Sequence, residues 1–466
     1  MAIKIFDTLS GKKKALTLPK SGPLKLFVCG PTVYDDVHLG HARAYLAFDL
    51  LVRYLRSLKI KVFYLQNITD VDDKIIERAK EKKTSAAKIS AKFSEVYFKT
   101  CKMLGISSVD KYVKASASIK EIKSQISRLM EKGYAYETGS GVYFNVKKFK
   151  DYGKLSRQNL EELRSGYRVE PDPEKHDVFD FALWKKKKFS YEPSWPSPWG
   201  AGRPGWHIED TAIAEKYFGL NYHLHGGGMD LKFPHHEAEI AQAEALSGKK
   251  PFVIFWLHIG FLLVNGEKMS KSLHNFITVP DFLKRWHPDV LRWLVFSRHY
   301  SSPFDYKEET VSQSVNSLFS LKLLFASLKT KSREGEISSK FKKAAAAFDK
   351  KVKTAMEDDF NTPEVISEIF QFANFLKSLD NLNKKEALFA FSLFSGLLSV
   401  FGFSFFLENP LPKKIKEMAE EREVFRTVRN FSEADALRGK LEKLGYKIDD
   451  TPSGSVIVFN NLEING

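Results

Sequence analysis

Between residues 24 and 66 the apolar residues change period twice, and this constrains the fold more than any other feature of the chain. Residues 24–29 are a short apolar run with turn residues on both sides, the mark of a buried strand. From 41 to 58 the spacing becomes helical, with Tyr45, Phe48, Val52 and Leu55 on one stripe. Residues 61–66 then read as a second strand. Strand, glycine-containing turn, helix and strand make a βαβ unit, which implies a parallel sheet and an α/β fold. Ligands on such sheets bind at the carboxyl ends of the strands. Cys29, Gly30 and the segment from His38 to His41 lie at that edge.

A chain of 466 residues has room for about three domains. With 43% hydrophobic and 28% charged residues it is globular rather than disordered. From about 100 to 200 the pattern is irregular. A helix near 115–132 precedes Gly139-Ser140-Gly141 and an alternating stretch from Val142 to Val146, which predicts a hairpin. A Pro/Trp-rich segment follows at 193–204, and sheet-like signals return at 222–224 and 252–259. The 100–200 region therefore reads as an insertion into the sheet domain. Beyond 306, helical periodicity at 311–331, 339–356, 362–379 and 385–401 predicts a helical bundle. A Pro-rich linker at 408–412 leads to a last piece with a helix at 432–444 and a strand at 455–459. The expected units are 1–305 (insertion about 100–200, a loop region about 260–305), 306–410 and 411–466.

Lys+Arg number 73 and Asp+Glu 57, for a net charge of +16. Such a charge points to a polyanionic partner, nucleic acid first, or else serves only solubility. Residues 413–466 carry ten basic and ten acidic residues, so the net positive charge lies upstream of them. Two cysteines, Cys29 and Cys101, exclude a disulfide framework. The N-terminus lacks a secretory pattern, and the most apolar long stretch, 251–264, is too short for a membrane span. A soluble, cytoplasmic protein is expected.

His38-Leu39-Gly40-His41 stands where a strand turns into a helix. A helix start offers free N–H groups and a positive dipole end to phosphate, and Gly40 lets phosphate approach the backbone. Alone, the segment reads equally as a capping turn. Lys268-Met269-Ser270-Lys271-Ser272 follows Asn265-Gly266 on a loop. Two lysines there suit a mobile clamp on pyrophosphate. Alone, it reads as an exposed basic loop. The two together resemble the signature pair of class I aminoacyl-tRNA synthetases.

The resemblance narrows to the cysteinyl-tRNA synthetases through Phe27-Val28-Cys29-Gly30-Pro31-Thr32-Val33-Tyr34-Asp35 and Asn67-Ile68-Thr69-Asp70-Val71-Asp72-Asp73-Lys74. Ser197-Pro198-Trp199-Gly200, Gly205-Trp206-His207-Ile208-Glu209, His225-Gly226-Gly227-Gly228 and Phe233-Pro234-His235-His236-Glu237 match as well. So do Asp359-Phe360-Asn361-Thr362-Pro363, Ala434-Asp435-Ala436-Leu437-Arg438 and Asp450-Thr451-Pro452-Ser453-Gly454. The resemblance implies a Rossmann-type catalytic domain with an insertion, then a helical bundle and a small C-terminal domain that bind the tRNA shaft and anticodon. It implies ATP-dependent activation of L-cysteine to the adenylate, with Mg²⁺ accompanying ATP, and transfer to the 3′ end of tRNA(Cys). His38, Gly40, His41, Lys268 and Lys271 would serve ATP, and Thr69, Trp206 and Asp230 the substrate cysteine. A monomer is expected.

His235 and Glu239 are four apart after Pro234, so a helix there puts both on one face, within reach of one metal. Cys29 adds a thiol. In the family these positions and a second cysteine hold one zinc ion, which binds the substrate thiol. Here the fourth position is Asp210. Carboxylate oxygen binds zinc at about 2.0–2.2 Å, so Cys29, Asp210, His235 and Glu239 are the expected shell. Two lesser departures are Met229 for serine and His274 for glycine. Two rivals keep most of these residues: a tRNA-independent cysteine ligase acting on a small amine, and a non-catalytic tRNA-binding paralogue.

Overall fold

The computed structural model describes residues 2–158, 174–269, 275–379, 381–405, 411–451 and 454–463. A hairpin, β1 (Lys4–Asp7) and β2 (Lys12–Ala15), opens the chain. Then β3 (Leu24–Val28), α1 (Leu39–Ser57) and β4 (Val62–Ile68) form the expected βαβ unit. They are followed by α2 (Asp73–Glu81), α3 (Ala86–Met103) and β5 (Lys111–Lys114). Next, α4 (Ile119–Glu131) leads into β6 (Ala135–Glu137), β7 (Gly141–Phe144), β8 (Phe181–Lys186) and β9 (Gly202–Pro204). These four strands pair antiparallel as a separate sheet. The chain returns through α5 (Trp206–Phe218), β10 (Tyr222–Gly228), α6 (Glu237–Ser247) and β11 (Val253–Ile259).

The main sheet has the order β11-β10-β3-β4-β5, and every pair is parallel. Its strands are mostly buried on both faces, as parallel strands covered by helices must be. From β3 the chain runs to β4 on one side and only later to β10 on the other. The strand order therefore reverses between β3 and β10, and a ligand crevice opens at such a reversal. Val28, the end of β3, pairs with both Gln66 and Gly226, and β4 and β10 each run two residues further. α1 lies close on this sheet: a Cβ at Gly226 would come within 2.2 Å of Phe48.

The insertion starts later than the sequence suggested. β5 lies within the 100–200 stretch yet is the fifth strand of the parallel sheet, so the antiparallel excursion begins beyond Lys114. β5 reads weakly because it is a four-residue edge strand with lysine at both ends and only Val113 buried.

Beyond the sheet come β12 (Leu262–Val264), β13 (Glu267–Lys268), α7 (Val279–Arg285), α8 (Pro288–Phe296) and β14 (Phe304–Tyr306). Four long helices follow: α9 (Glu308–Lys329), α10 (Ser339–Glu357), α11 (Thr362–Lys377) and α12 (Lys384–Val400). One apolar core runs from the main sheet through α8 into these helices, where Phe348, Phe372 and Phe394 pack together. The expected linker at 408–412 lies largely outside the described residues. The last piece holds α13 (Lys413–Thr427), α14 (Phe431–Lys443), β15 (Tyr446–Thr451) and β16 (Gly454–Phe459) around a small core of Ile415, Leu441 and Ile448. The sequence reading missed α13, which alternates charge without a clear apolar stripe, and β15. Among the described residues, no helix is long and apolar enough to cross a membrane.

Candidate active site and metal centre

A cleft of about 290 Å³ opens at the β3/β10 reversal. Cys29 and Gly30 leave β3 into it, and His38, Gly40 and His41 enter it from the start of α1. His38 is the N-cap: its Nδ1 accepts from the His41 N–H at 3.3 Å, and the two rings stack at 3.7 Å. No acidic residue stands in the first turn of α1, which keeps that end open to an anion. Burial, and then His41, holds the His38 imidazole far below its ordinary value. Burial, and then Lys74, pushes His41 down to about 4. At neutral pH both rings are therefore uncharged N–H donors.

The second basic motif is brought to the first by strand-like bonds. The Leu39 N–H donates to Ile277 O at 3.1 Å, and the Val279 N–H to Val37 O at 2.8 Å. A Cβ at Gly40 would touch both the His38 ring, at 2.9 Å, and Met269 Cε, at 3.6 Å. Lys268 lines the same cleft, with Nζ 4.9 Å above the Phe261 ring. Lys271 and His274 lie outside the described residues.

Behind Cys29 is a buried group of metal-binding type. Donor atoms of Cys29, Asp210, His235 and Glu239 all lie within 4.8 Å of one another. His235 Nε2 is 3.0 Å from Asp210 Oδ2 and 3.2 Å from Glu239 Oε1. All four side chains are buried. Glu239 sits in the first turn of α6, where the helix dipole favours a carboxylate, and Asp210 lies just past the first turn of α5. His235 is in an irregular turn before α6, not on the regular helix that the i, i+4 spacing suggested, because Phe233 breaks the helical backbone there. His235 still meets Glu239. Burial, then Asp210 and Glu239, pushes the Cys29 thiol well above its ordinary value. Burial, then Asp210, does the same to Glu239. Asp210 Oδ1 and Glu239 Oε2 are buried and have no hydrogen-bond partner. Buried acids with orphaned oxygens call for a compensating cation, and the mixed S, N and O donor set fits zinc.

Four more histidines surround this group, and the sequence reading gave them no role. His225 Nε2 and His236 Nε2 lie 3.3 and 3.1 Å from Cys29 Sγ. They form a second four-donor group with Cys29 and Glu239. Each ring is fixed from behind: His225 by the Tyr222 hydroxyl at 2.5 Å, His236 by His258 at 2.8 Å, and His258 by Thr8 at 2.9 Å. His207 fixes His235 in the same way at 2.8 Å. Such partners set ring orientation toward a metal. The signal was in the quoted motifs, which contain His207, His225 and His236.

Trp206 stacks on His235 at 4.2 Å and is 37% exposed into the cleft, so it forms a wall rather than core. Asp230 is exposed at the cleft margin. Thr69 does not line the cleft. It is 1% exposed, and its hydroxyl donates to the buried Glu209, next to Asp210.

Comparison with known proteins gives matches over the whole chain. Residues 17–316 match the model of the tRNA synthetases class I (C) catalytic domain, and residues 351–406 match the DALR domain. A cysteine–tRNA ligase of Thermococcus gammatolerans is 44% identical over 98% of this chain and 99% of its own length. One from Pyrococcus abyssi is 43% identical over the full length of both chains. In fold, the chain is similar to methionyl-tRNA synthetase of Mycobacterium tuberculosis bound to methionyl-adenylate. The TM-score is 0.59 and the identity 14%, over 82% of this chain and 90% of that one.

Proposed function

The chain belongs to the cysteine–tRNA ligase family of class I tRNA synthetases and is an enzyme of that ligase type, and from this premise we propose how its own residues carry the reaction. A carboxylate oxygen of L-cysteine attacks the α-phosphorus of ATP. The bond from that phosphorus to the bridging oxygen breaks, and pyrophosphate leaves. A hydroxyl of the terminal ribose of tRNA(Cys) then attacks the carbonyl of the adenylate, and AMP leaves. Neither step needs a side-chain nucleophile, so catalysis is positioning plus stabilisation of developing phosphate charge.

His38 and His41, as uncharged donors at the start of α1, receive the triphosphate, and Gly40 admits it to the backbone. Lys268 and Lys271 hold the departing pyrophosphate as point charges. Mg²⁺ accompanies ATP. Asp230 meets the substrate ammonium and Trp206 walls the side-chain pocket. Thr69 acts through Glu209 and not on substrate. Cys29, Asp210, His235 and Glu239 would hold one zinc ion. That ion supplies a soft Lewis-acid contact that a cysteine thiol satisfies and a serine hydroxyl does not. Residues 306–410 and 411–466 bind tRNA away from the cleft, and the protein works as a cytoplasmic monomer.

One observation carries this reading: Gly40 of the first motif and Met269 of the second meet across a cleft whose floor is Cys29. The test is cysteine-dependent ATP–pyrophosphate exchange, followed by charging of tRNA(Cys). Exchange and charging are both expected. Exchange without charging would favour the small-amine ligase, and neither activity would favour the non-catalytic paralogue.

A further inference from the structure

The loop after β8 carries an exposed aromatic pair that none of the roles above uses. Phe189 and Tyr191 are 54% and 52% exposed. Their rings stack face to face, 5.3 Å apart and 4° from parallel. A tight turn holds them there: the Glu192 N–H donates to Phe189 O at 3.2 Å, and the Lys188 N–H to a Glu192 carboxylate oxygen at 3.3 Å. Two large rings held against each other still leave about half of their surface in water. That is the form of a contact surface rather than of a folding core.

The charge around the pair is one-sided. Lys187 and Lys188 precede it, both exposed and in no ion pair among the described residues. A neighbouring groove of about 520 Å³, lined by Phe189 and Lys188, has five basic side chains against Asp73 and Glu192. Within it, Lys185 and Arg203 share Asp73 and Lys186 pairs with Glu137, which leaves the groove net positive, with Lys188 in no ion pair among the described residues beside the rings. Flat apolar faces set among uncompensated cations fit a chain of planar bases joined by phosphates, and stacking on such faces is tolerant of base identity. An apolar peptide would gain nothing from the lysines.

The groove adjoins the active cleft. Asp73 lines the groove and the next residue, Lys74, lines the cleft. On the other wall Arg203 lines the groove and Trp206 the cleft, three residues on, at most about 10 Å of chain. We propose that Phe189 and Tyr191, with Lys187 and Lys188, are the landing platform for the unpaired 3′ end of the RNA substrate, gripping its bases by stacking as its terminal ribose enters the cleft. This rests on the reading of the protein as a tRNA-charging enzyme.

The test compares wild type with Phe189→Ala/Tyr191→Ala, with Phe189→Tyr/Tyr191→Phe as the variant that keeps both rings. Cysteine-dependent pyrophosphate exchange should be unchanged in all three, which also reports correct folding. Charging, as kcat/KM for tRNA, should fall about tenfold or more in the alanine variant, the loss expected from removing base–aromatic stacking, and recover in the ring-keeping one. A labelled acceptor-stem RNA hairpin, with and without its unpaired 3′ nucleotides, serves as the binding probe. Wild type should prefer the tailed hairpin, and the alanine variant should bind both alike. Full charging by the alanine variant, or a retained preference for the tail, overturns the platform. So does loss of exchange, which would place the rings in the cysteine or ATP site or in the fold. Absence of exchange in wild type would instead overturn the reading of function itself.

Discussion

Asp210 leaves the formal charge of the metal group as a cysteine thiolate would, and changes its softness. A carboxylate oxygen is a harder donor than sulfur, so zinc should still bind, but less tightly. We expect Asp210→Cys to slow zinc loss to a chelator by about tenfold or more, and Cys29→Ala to lose most of the metal. Zinc content by mass spectrometry, with competition against a chromophoric chelator, measures both. Protein purified zinc-free from zinc-replete medium would falsify the assignment. His38 poses a different question, because it caps α1 and also faces the cleft. Asparagine caps as well as any residue, and alanine does not. His38→Ala should therefore cost about 1 kcal/mol of stability, while His38→Asn should cost little. Both should slow exchange by about 10²-fold, the usual cost of losing one donor to developing charge. If asparagine restores exchange, the ring acts only as a cap.

The elements of the sheet meet at their ends with almost no slack. A Cβ at Gly30 would sit 1.7 Å from the carbonyl oxygen of Asn67, at the end of β4. Backbone must move to admit it, and Cys29 is the adjacent residue. Gly30→Ala should cost about 1–3 kcal/mol, the usual range for overpacking, and should weaken zinc binding at the same time. Gly396, on exposed α12 with nothing within 4 Å of a Cβ, is the control: alanine there should stabilise by up to about 1 kcal/mol. Urea unfolding of the two variants, alongside zinc content, checks the contrast. Equal zinc retention in both would show that the strand ends do not set the metal group. The sequence reading found β3, α1 and β4 from their periods but proposed neither α2 nor α3. It lost β5 because a short edge strand buries one side chain, and it straightened the turn at His235 because spacing alone does not reveal the break at Phe233.

At the scale of the molecule, the C-terminal piece is not a loosely tethered unit. Lys322 on α9 donates to Phe459 O at 2.8 Å and to Asn461 Oδ1 at 2.7 Å. The His287 N–H donates to Leu462 O at 2.9 Å, and Leu462 is fully buried in the main core. Removing residues 413–466 strips that anchor but touches no residue of the cleft. The expected result is a Tm lower by several degrees, from the lost core side chain and bonds. Exchange assayed below that Tm should stay within about threefold, while charging of tRNA should fall by more than tenfold if this piece carries tRNA contacts. Calorimetry and the two activity assays on one preparation separate these effects. Loss of exchange in a fragment that is still folded would mean the cleft depends on the tail.

The sequence by itself determined the parallel βαβ core and the two short motifs, His38–His41 and Lys268–Ser272. Each of these is written in local period or in a fixed motif, and local spacing survives in one dimension. Only the tertiary structure decided which side chains share a site. His225 comes from β10, His258 from β11 and His207 from α5; strand pairing sets His225 against the Cys29 thiol and His258 behind His236, and helix packing sets His207 behind His235. Thr69 looked like a substrate contact because it follows a strand end, yet packing turns it inward to Glu209. The rings of Phe189 and Tyr191 look like ordinary apolar residues until the turn leaves them in water beside the lysines. Burial and direction are set by what the rest of the chain places next to a residue, and no local pattern carries that information.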